Sequence, residues 1–365
     1  MRILNLVAGQ KWTGTAAVVF DQTAALIAAG IEAQFGFVGQ SPLAERLGAL
    51  GWARPVLLPP RGPLDYARDV RRLASTIERE RFDIVHTHAT HDHHVAAWAI
   101  RGTRTRLVRT IHNVRHVRRD FANRHLFRRT VAFAFANSEI ARAFGSRGPV
   151  HSPVIDTSVF HPAESTRAAR MATGLPQDRI LVGTVGKLAD GRGHWEAIGA
   201  AAGIPDVTLV HVGHGEFQPF LQALTIKLLA FDRNLWLGYQ EERLPDLYRA
   251  WDAFLFPASG SEQGQRAILE AMASGLPVVA LDVPGVSDLM TDGREGLIAR
   301  TADDLEPALR RLAADPSLRR EMGRRARERA LAFTGERFAE EARIFYAALE
   351  RRGEGAADPR APALA

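Results

Sequence analysis

A chain of 365 residues with 46% apolar and 24% charged side chains has the make-up of a soluble globular protein, long enough for two domains with separate cores. It contains no cysteine, which excludes disulfides and thiolate metal sites and fits a reducing compartment, and no apolar run approaches the roughly 20 residues of a membrane span. The net charge of +6 is carried almost wholly by arginine, with lysine only at Lys11, Lys187 and Lys227; it is compatible both with a preference for anionic partners and with a plain arginine-rich coding bias.

The run Ile3-Leu-Asn-Leu-Val7 is expected as a first strand, being too short for a signal-peptide core. Further strands are expected near residues 34–38, 55–58, 83–87, 107–111 and 131–136, then near 180–185, 207–212, 235–237, 253–256, 277–281 and 296–299. Apolar runs of this kind between helical stretches argue for parallel strands buried on both faces, and their regular alternation with helices argues for doubly wound α/β domains. The strand series pauses at Ser152–Thr173, which holds Pro153 and Pro162, and the interdomain link is placed there. The expected divisions are a Rossmann-like domain over 1–160, a second over 161–333, a terminal helix over 334–352 and a disordered Gly/Ala/Pro-rich tail over 353–365. Phe338, Ala342, Phe345, Tyr346 and Leu349 fall on one face of that helix.

Chemistry concentrates in the second half. Lys187 and Arg192 follow the strand at 180–185 among Gly186, Gly191 and Gly193, at the strand edge where open α/β sheets bind ligands. Two cations in such a turn suit a diphosphate, although a solvated surface turn has the same composition. Glu262 and Glu270 are separated by seven residues. The loop-like Pro257-Ala-Ser-Gly-Ser261 precedes the first, and the second lies in an Ala-rich segment that stops at Gly275 and Pro277. Glu262 is therefore expected at or before a helix start and Glu270 about two turns in. A helix start offers free N–H groups and a positive dipole end for phosphate, and flanking carboxylates accept hydrogen bonds from sugar hydroxyls. Two exposed glutamates would be the plain alternative.

The stretch from Glu262 to Pro277 resembles the E-x7-E signature of the family 4 (group 1) retaining glycosyltransferases. Val185-Gly-Lys-Leu188 with Arg192-Gly-His194, Val212-Gly-His-Gly-Glu216, Leu237-Gly238, Leu247-Tyr248, Asp252-Ala-Phe-Leu-Phe-Pro257, Pro277-Val-Val-Ala280 and Asp292-Gly-Arg-Glu-Gly-Leu297 follow in that family's order. The first half is similar over Asp83-Ile-Val-His-Thr-His88, Val108-Arg-Thr-Ile-His112, Asn137-Ser138 and Val154-Ile-Asp156. The resemblance implies the GT-B fold, two Rossmann-like domains facing a central cleft, with the last helix crossing back onto the first domain. It implies a retaining, metal-independent sugar transfer that uses a nucleotide-diphosphate sugar as co-substrate and needs no cofactor. It implies Lys187 and Arg192 on the diphosphate, Glu262 beside the sugar's developing charge, Glu270 on the ribose and His112 on the donor sugar. It adds Gly14, Gly186, Gly213, Gln263, Gly264, Gln265 and Arg266 as donor-binding positions. Gln263-Gly264-Gln265-Arg266 departs from the small and apolar residues usual between the two glutamates, and the loop Trp12-Thr-Gly-Thr15 lacks the usual Gly-Gly pair. The acceptor implied is a glycan or lipid-linked glycan of cell-envelope, polysaccharide or lipopolysaccharide synthesis, and the location cytoplasmic or peripheral on the inner membrane face.

Two other features compete for function. His86, His88, His91, Asp92, His93 and His94 look superficially like a zinc-hydrolase site, but the spacing departs from H-x-H-x-D-H, with two residues, Ala89 and Thr90, between His88 and the His91-Asp92 pair. Arg101, Arg104, Arg106, Arg109, Arg115, Arg118, Arg119, Arg124, Arg128 and Arg129, interspersed with Val117, Phe121, Leu126 and Phe127, read as a basic amphipathic surface for reversible contact with anionic membrane, or as a merely solvated face. No nucleic-acid fold accompanies that charge. A non-catalytic nucleotide-sugar or anionic-lipid binder is the remaining alternative. A dinucleotide-dependent oxidoreductase is disfavoured, because no G-x-G-x-x-G follows a strand.

Overall fold

The computed structural model describes residues 1–59, 62–113, 126–146, 148–228, 230–258 and 265–351. The terminal tail expected to be disordered lies outside them. The chain forms two compact units, one of Met1–Val154 together with the helix Gly335–Arg351, the other of Ile155–Thr334.

The first unit carries a six-stranded sheet of β1 (Arg2–Leu6), β2 (Glu32–Val38), β3 (Ala53–Leu57), β4 (Ile84–Thr87), β5 (Arg106–Ile111) and β6 (Thr130–Phe135). Its order is β3-β2-β1-β4-β5-β6, and every pairing is parallel. The second unit repeats the plan with β7 (Ile180–Val185), β8 (Val207–Val212), β9 (Asn234–Gly238), β10 (Ala253–Phe256), β11 (Val278–Leu281) and β12 (Gly296–Ala299), ordered β12-β11-β10-β7-β8-β9. Numbered within its own unit this is the same order, read from the other edge. All twelve strands expected from the apolar runs are present. Each sheet is the doubly wound Rossmann arrangement, whose order reverses between β1 and β4 in one unit and between β7 and β10 in the other. Ligands of such sheets lie outside the carboxyl ends of those strands.

The central strands are buried throughout, as in Leu4 and Leu6 of β1 or Phe254 and Leu255 of β10, because helices cover both faces. The helix Gly335–Arg351 presents Phe338, Ala339, Ala342, Tyr346 and Leu349 to Ile3, Leu26, Ile84 and Val108, completing the core of the first unit. Of the five residues expected on its apolar face, Phe345 alone is only partly buried. Among the described residues no helix is long and apolar enough to cross a membrane.

Candidate functional site

In the second unit the loops leaving β7, β8 and β10 meet backbone to backbone at the reversal of strand order. The Gly186 N–H donates to Val212 O (3.0 Å) and the Gly213 N–H to Gly238 O (2.8 Å). Gly213 has φ +140°, and a Cβ there would stand 1.9 Å from Gly186 O. Gly193 has φ +76°, and its Cβ would stand 1.8 Å from Pro257 O. No side chain fits at either place, so glycine is what lets the three loops close on one another. The result is a rim of backbone at the start of the helix His194–Ala202, where N–H groups lack intrahelical partners.

Lys187 stands on this rim. Its Nζ pairs with Glu216 at 2.9 Å, and both side chains are more than half exposed. Glu216 is held below the usual carboxylate range by its own backbone N–H and then by Lys187. An exposed pair of this kind is worth little, so a more strongly charged anion can displace Glu216 from Lys187. Beneath the rim His194 is buried and hydrogen-bonded to the backbone of Lys187. Burial drives its pKa down to about 4, with nearby Arg192 adding to the effect, so the ring under the loop is neutral. His211 stacks on Trp236 (4.1 Å between centroids, 9° between planes) and bonds Asn234 Oδ1 at 2.9 Å, a firm floor below the same loops.

The loop after β10 leads into the helix Gln265–Ala273. Glu262, Gln263 and Gly264, and the side chain of Gln265, lie outside the described residues. Glu270 is 5% exposed in the second turn of this helix. Arg266 Nε donates to one of its oxygens at 2.9 Å and Tyr248 Oη to the other at 3.1 Å. The carboxylate is thus held in one orientation from both of its oxygens. Tyr248 sits 22 residues before Glu270, and no helical or strand period links the two; sequence placed Leu247-Tyr248 in a familiar order without a task. Glu216 was likewise noticed only as the end of a motif.

In the first unit Gly14 opens the helix Gly14–Ala28 after β1, capped by Thr13. His112 follows β5, and its Nε2 lies 3.1 Å from His88 Nδ1. The histidines between 86 and 94 do separate jobs. His86 is buried between Tyr346 Oη (2.7 Å) and Thr110 Oγ1 (2.8 Å). His93, buried on the helix Thr90–Ala99, meets Thr130 Oγ1 (2.8 Å) and Arg109 Nη1 (2.6 Å). His91 faces Asp69 at 3.5 Å. Asp92 caps the helix by accepting from the N–H groups of His88 and Ala89. Among the described residues no three His, Cys, Asp or Glu are gathered to hold a metal ion.

The basic amphipathic surface needs correction. Arg109 is 1% exposed and points into the core at His93, because it lies on a central strand whose successive side chains alternate between two covered faces. Leu126 is buried, and Phe127 packs on Phe133 and Phe144. Arg115, Val117, Arg118, Arg119, Phe121 and Arg124 lie outside the described residues. Arg101, Arg104 and Arg128 are exposed, and Arg101 and Arg129 lie over the half-exposed ring of Trp98 at 5.2 and 5.5 Å.

Residues 165–329 match the family model described as Glycosyl transferases group 1, and residues 12–147 match Glycosyltransferase Family 4. The lipopolysaccharide core biosynthesis mannosyltransferase LpsB of Rhizobium meliloti is 34% identical over 171 residues, 44% of this chain and 48% of that protein. A D-inositol 3-phosphate glycosyltransferase of Kribbella flavida is 34% identical over 200 residues, 50% of this chain and 47% of that one. The chain thus spans about half the length of the curated relatives it matches. Among solved structures, HepE of Anabaena in complex with UDP superposes with a TM-score of 0.84 at 20% identity, covering 95% of this chain and 100% of that one. A glycosyltransferase of Rickettsia africae gives 0.84 at 15% identity, with 96% and 98% covered. These two establish likeness of fold.

Proposed function

Because the chain belongs to the group 1, family 4 glycosyltransferases and has their two-domain GT-B fold, we propose that it moves a sugar from a nucleotide-diphosphate sugar to a glycan or lipid-linked glycan acceptor in envelope or polysaccharide synthesis. The observation that carries this reading is the glycine-closed junction of three loops at the β7/β10 reversal, with Lys187 on its rim and Glu270 fixed on the helix that follows β10. We assign the diphosphate to Lys187 and Arg192 with the backbone of Gly186 and Gly213, and the ribose hydroxyls to Glu270. Glu262 takes the developing charge of the sugar, His112 its hydroxyls, and Gly14 and Gln263–Arg266 complete the donor contacts. Retention follows if leaving phosphate and acceptor hydroxyl meet on one face of the sugar, so that the protein contributes position and charge. The likeness to a lipopolysaccharide core mannosyltransferase supports a glycan acceptor, and the location proposed is cytoplasmic, free or peripheral on the inner membrane face.

A thermal-shift screen against nucleoside diphosphates and nucleotide sugars tests the reading. A true ligand at about 100 times its Kd stabilises the fold by roughly 2.7 kcal/mol. Glu270→Ala is expected to weaken that ligand by about 1.5–3 kcal/mol, roughly ten- to a hundredfold, in calorimetry. Unchanged affinity would remove Glu270 from the site.

Transfer is expected to survive exhaustive chelation, since Lys187 and Arg192 take the charge-neutralising place of a divalent ion. Activity lost to chelator and restored by zinc would favour hydrolysis at the His86–His94 segment instead. Binding without turnover on any donor would favour a non-catalytic binder.

The exposed Trp98 between Arg101 and Arg129 supports a second contact, with an anionic membrane surface. Co-sedimentation with anionic vesicles is expected to fall as salt rises, screening acting over about 8 Å at physiological ionic strength. Equal binding to neutral vesicles, or none to either, would restrict the enzyme to soluble acceptors.

A further inference from the structure

His88 and His112 meet nitrogen to nitrogen, Nδ1 of the first 3.1 Å from Nε2 of the second. One of these two atoms carries the proton between them, and which one decides the tautomer of both rings. The other nitrogen of His88 settles the choice. His88 Nε2 is buried and has no hydrogen-bond partner among the described residues. If His88 accepted at Nδ1, its own proton would sit on Nε2 as a buried N–H with nothing to receive it, the rarer defect in folded proteins. If His88 donates from Nδ1, Nε2 keeps only a lone pair. Burial, then His86, His112, His151 and Arg109, hold the His88 pKa well below its ordinary value, so the ring is neutral with a single proton to place.

The ring cannot readily turn over to exchange its nitrogens. It stacks on His86 at 4.6 Å and 24°, and His86 is itself pinned at both nitrogens by Tyr346 and Thr110. We infer that His88 is a positioning residue: it donates Nδ1–H to His112 Nε2 and so holds His112 as the tautomer protonated at Nδ1. Resting on the assignment of His112 to the donor sugar, this makes His112 a hydrogen-bond donor to a sugar oxygen. It is not a base that takes a proton from the sugar or the acceptor, because the only nitrogen able to accept is occupied from within the protein.

Protein labelled with 15N at histidine reports the tautomer directly in long-range proton–nitrogen correlation spectra, recorded without any substrate; the His112 signals are those missing from His112→Gln. The expected pattern is a protonated Nδ1 and a bare Nε2. His88→Asn keeps an N–H at the Nδ1 position, whereas His88→Leu removes it. The Asn variant is expected to keep the tautomer and to transfer sugar within about twofold of the original rate. The Leu variant is expected to shift His112 toward the Nε2–H form and to lose about tenfold or more in kcat. Nucleoside-diphosphate affinity should be unchanged in both. His112 protonated at Nε2 in the unaltered protein would overturn the inference, as would a Leu variant that keeps both tautomer and kcat. If the Leu variant does not fold, the unaltered spectrum and the Asn variant still decide. Failure of the unaltered protein to bind any nucleoside diphosphate would sink the proposed function, while the tautomer would stand or fall by its own spectrum.

Discussion

Lys187→Ala is expected to slow sugar transfer by about a hundredfold or more while leaving the protein folded. The charge on a departing diphosphate grows as its bond to the sugar breaks, and a preorganised cation at that place stabilises the transition state more than the ground state. Removing one such contact typically costs about 2.7–4 kcal/mol of barrier. The fold should be indifferent, since among the described residues Lys187 loses an exposed pairing with Glu216. Arg192→Ala should behave alike, and the two effects should not add, because both act on one developing charge. Single-turnover rates with unfolding curves as control provide the measurement. Near-normal rates in both variants would remove the diphosphate from this loop. A further contrast comes from Glu216→Gln, which frees Lys187 and is expected to tighten nucleoside-diphosphate binding slightly.

Gly193→Ala is expected to damage the second unit severely by a single methyl group. Alanine at φ +76° carries a backbone strain of about 1–3 kcal/mol, and the added carbon would stand 1.8 Å from the Pro257 carbonyl oxygen, so the β7 loop must move off the β10 loop. A displacement of about 1 Å in a site built on position costs on the order of a hundredfold in rate. Gly191→Ala supplies the control. It has nearly the same backbone angle, φ +70°, yet nothing within 4 Å of the added carbon, so it carries the strain without the collision. Transfer rate and nucleotide affinity should fall much further in the first variant. Equal losses in both would mean that backbone angle alone, and not the close approach of two loops, is the constraint.

Strands were legible because a buried parallel strand must be a short run of apolar residues whatever surrounds it; β7, Ile180–Val185, and β8, Val207–Val212, stand at the predicted residues. Glycines beside Lys187 announced a tight loop, but not that Gly193 is needed for Pro257, 64 residues away in sequence. That distance is bridged only when β10 lies beside β7, a matter of sheet order and not of local pattern. The partnership of Tyr248 with Glu270 was hidden for the same reason. Arg109 and Phe127 misled because charge and ring count as surface signals only when the element is known to reach the surface. A central strand forces its arginine inward, where His93 and Thr90 receive it.

The helix Gly335–Arg351 has a consequence for biosynthesis. The core of the first unit needs Phe338, Ala342, Tyr346 and Leu349 against Ile3, Leu26 and Ile84, but these residues are made only after the whole second unit. Between them lie the 180 residues of Ile155–Thr334 (334 − 154), which at about 5–20 residues per second take roughly 9–36 s to make. Throughout that interval the nascent first unit displays an unfilled apolar stripe along the helix Gly14–Ala28, a surface for chaperones to cover. The second unit, continuous in sequence, meets no such delay. Order of synthesis and order of folding are therefore reversed in this chain: the half that is made first is finished last.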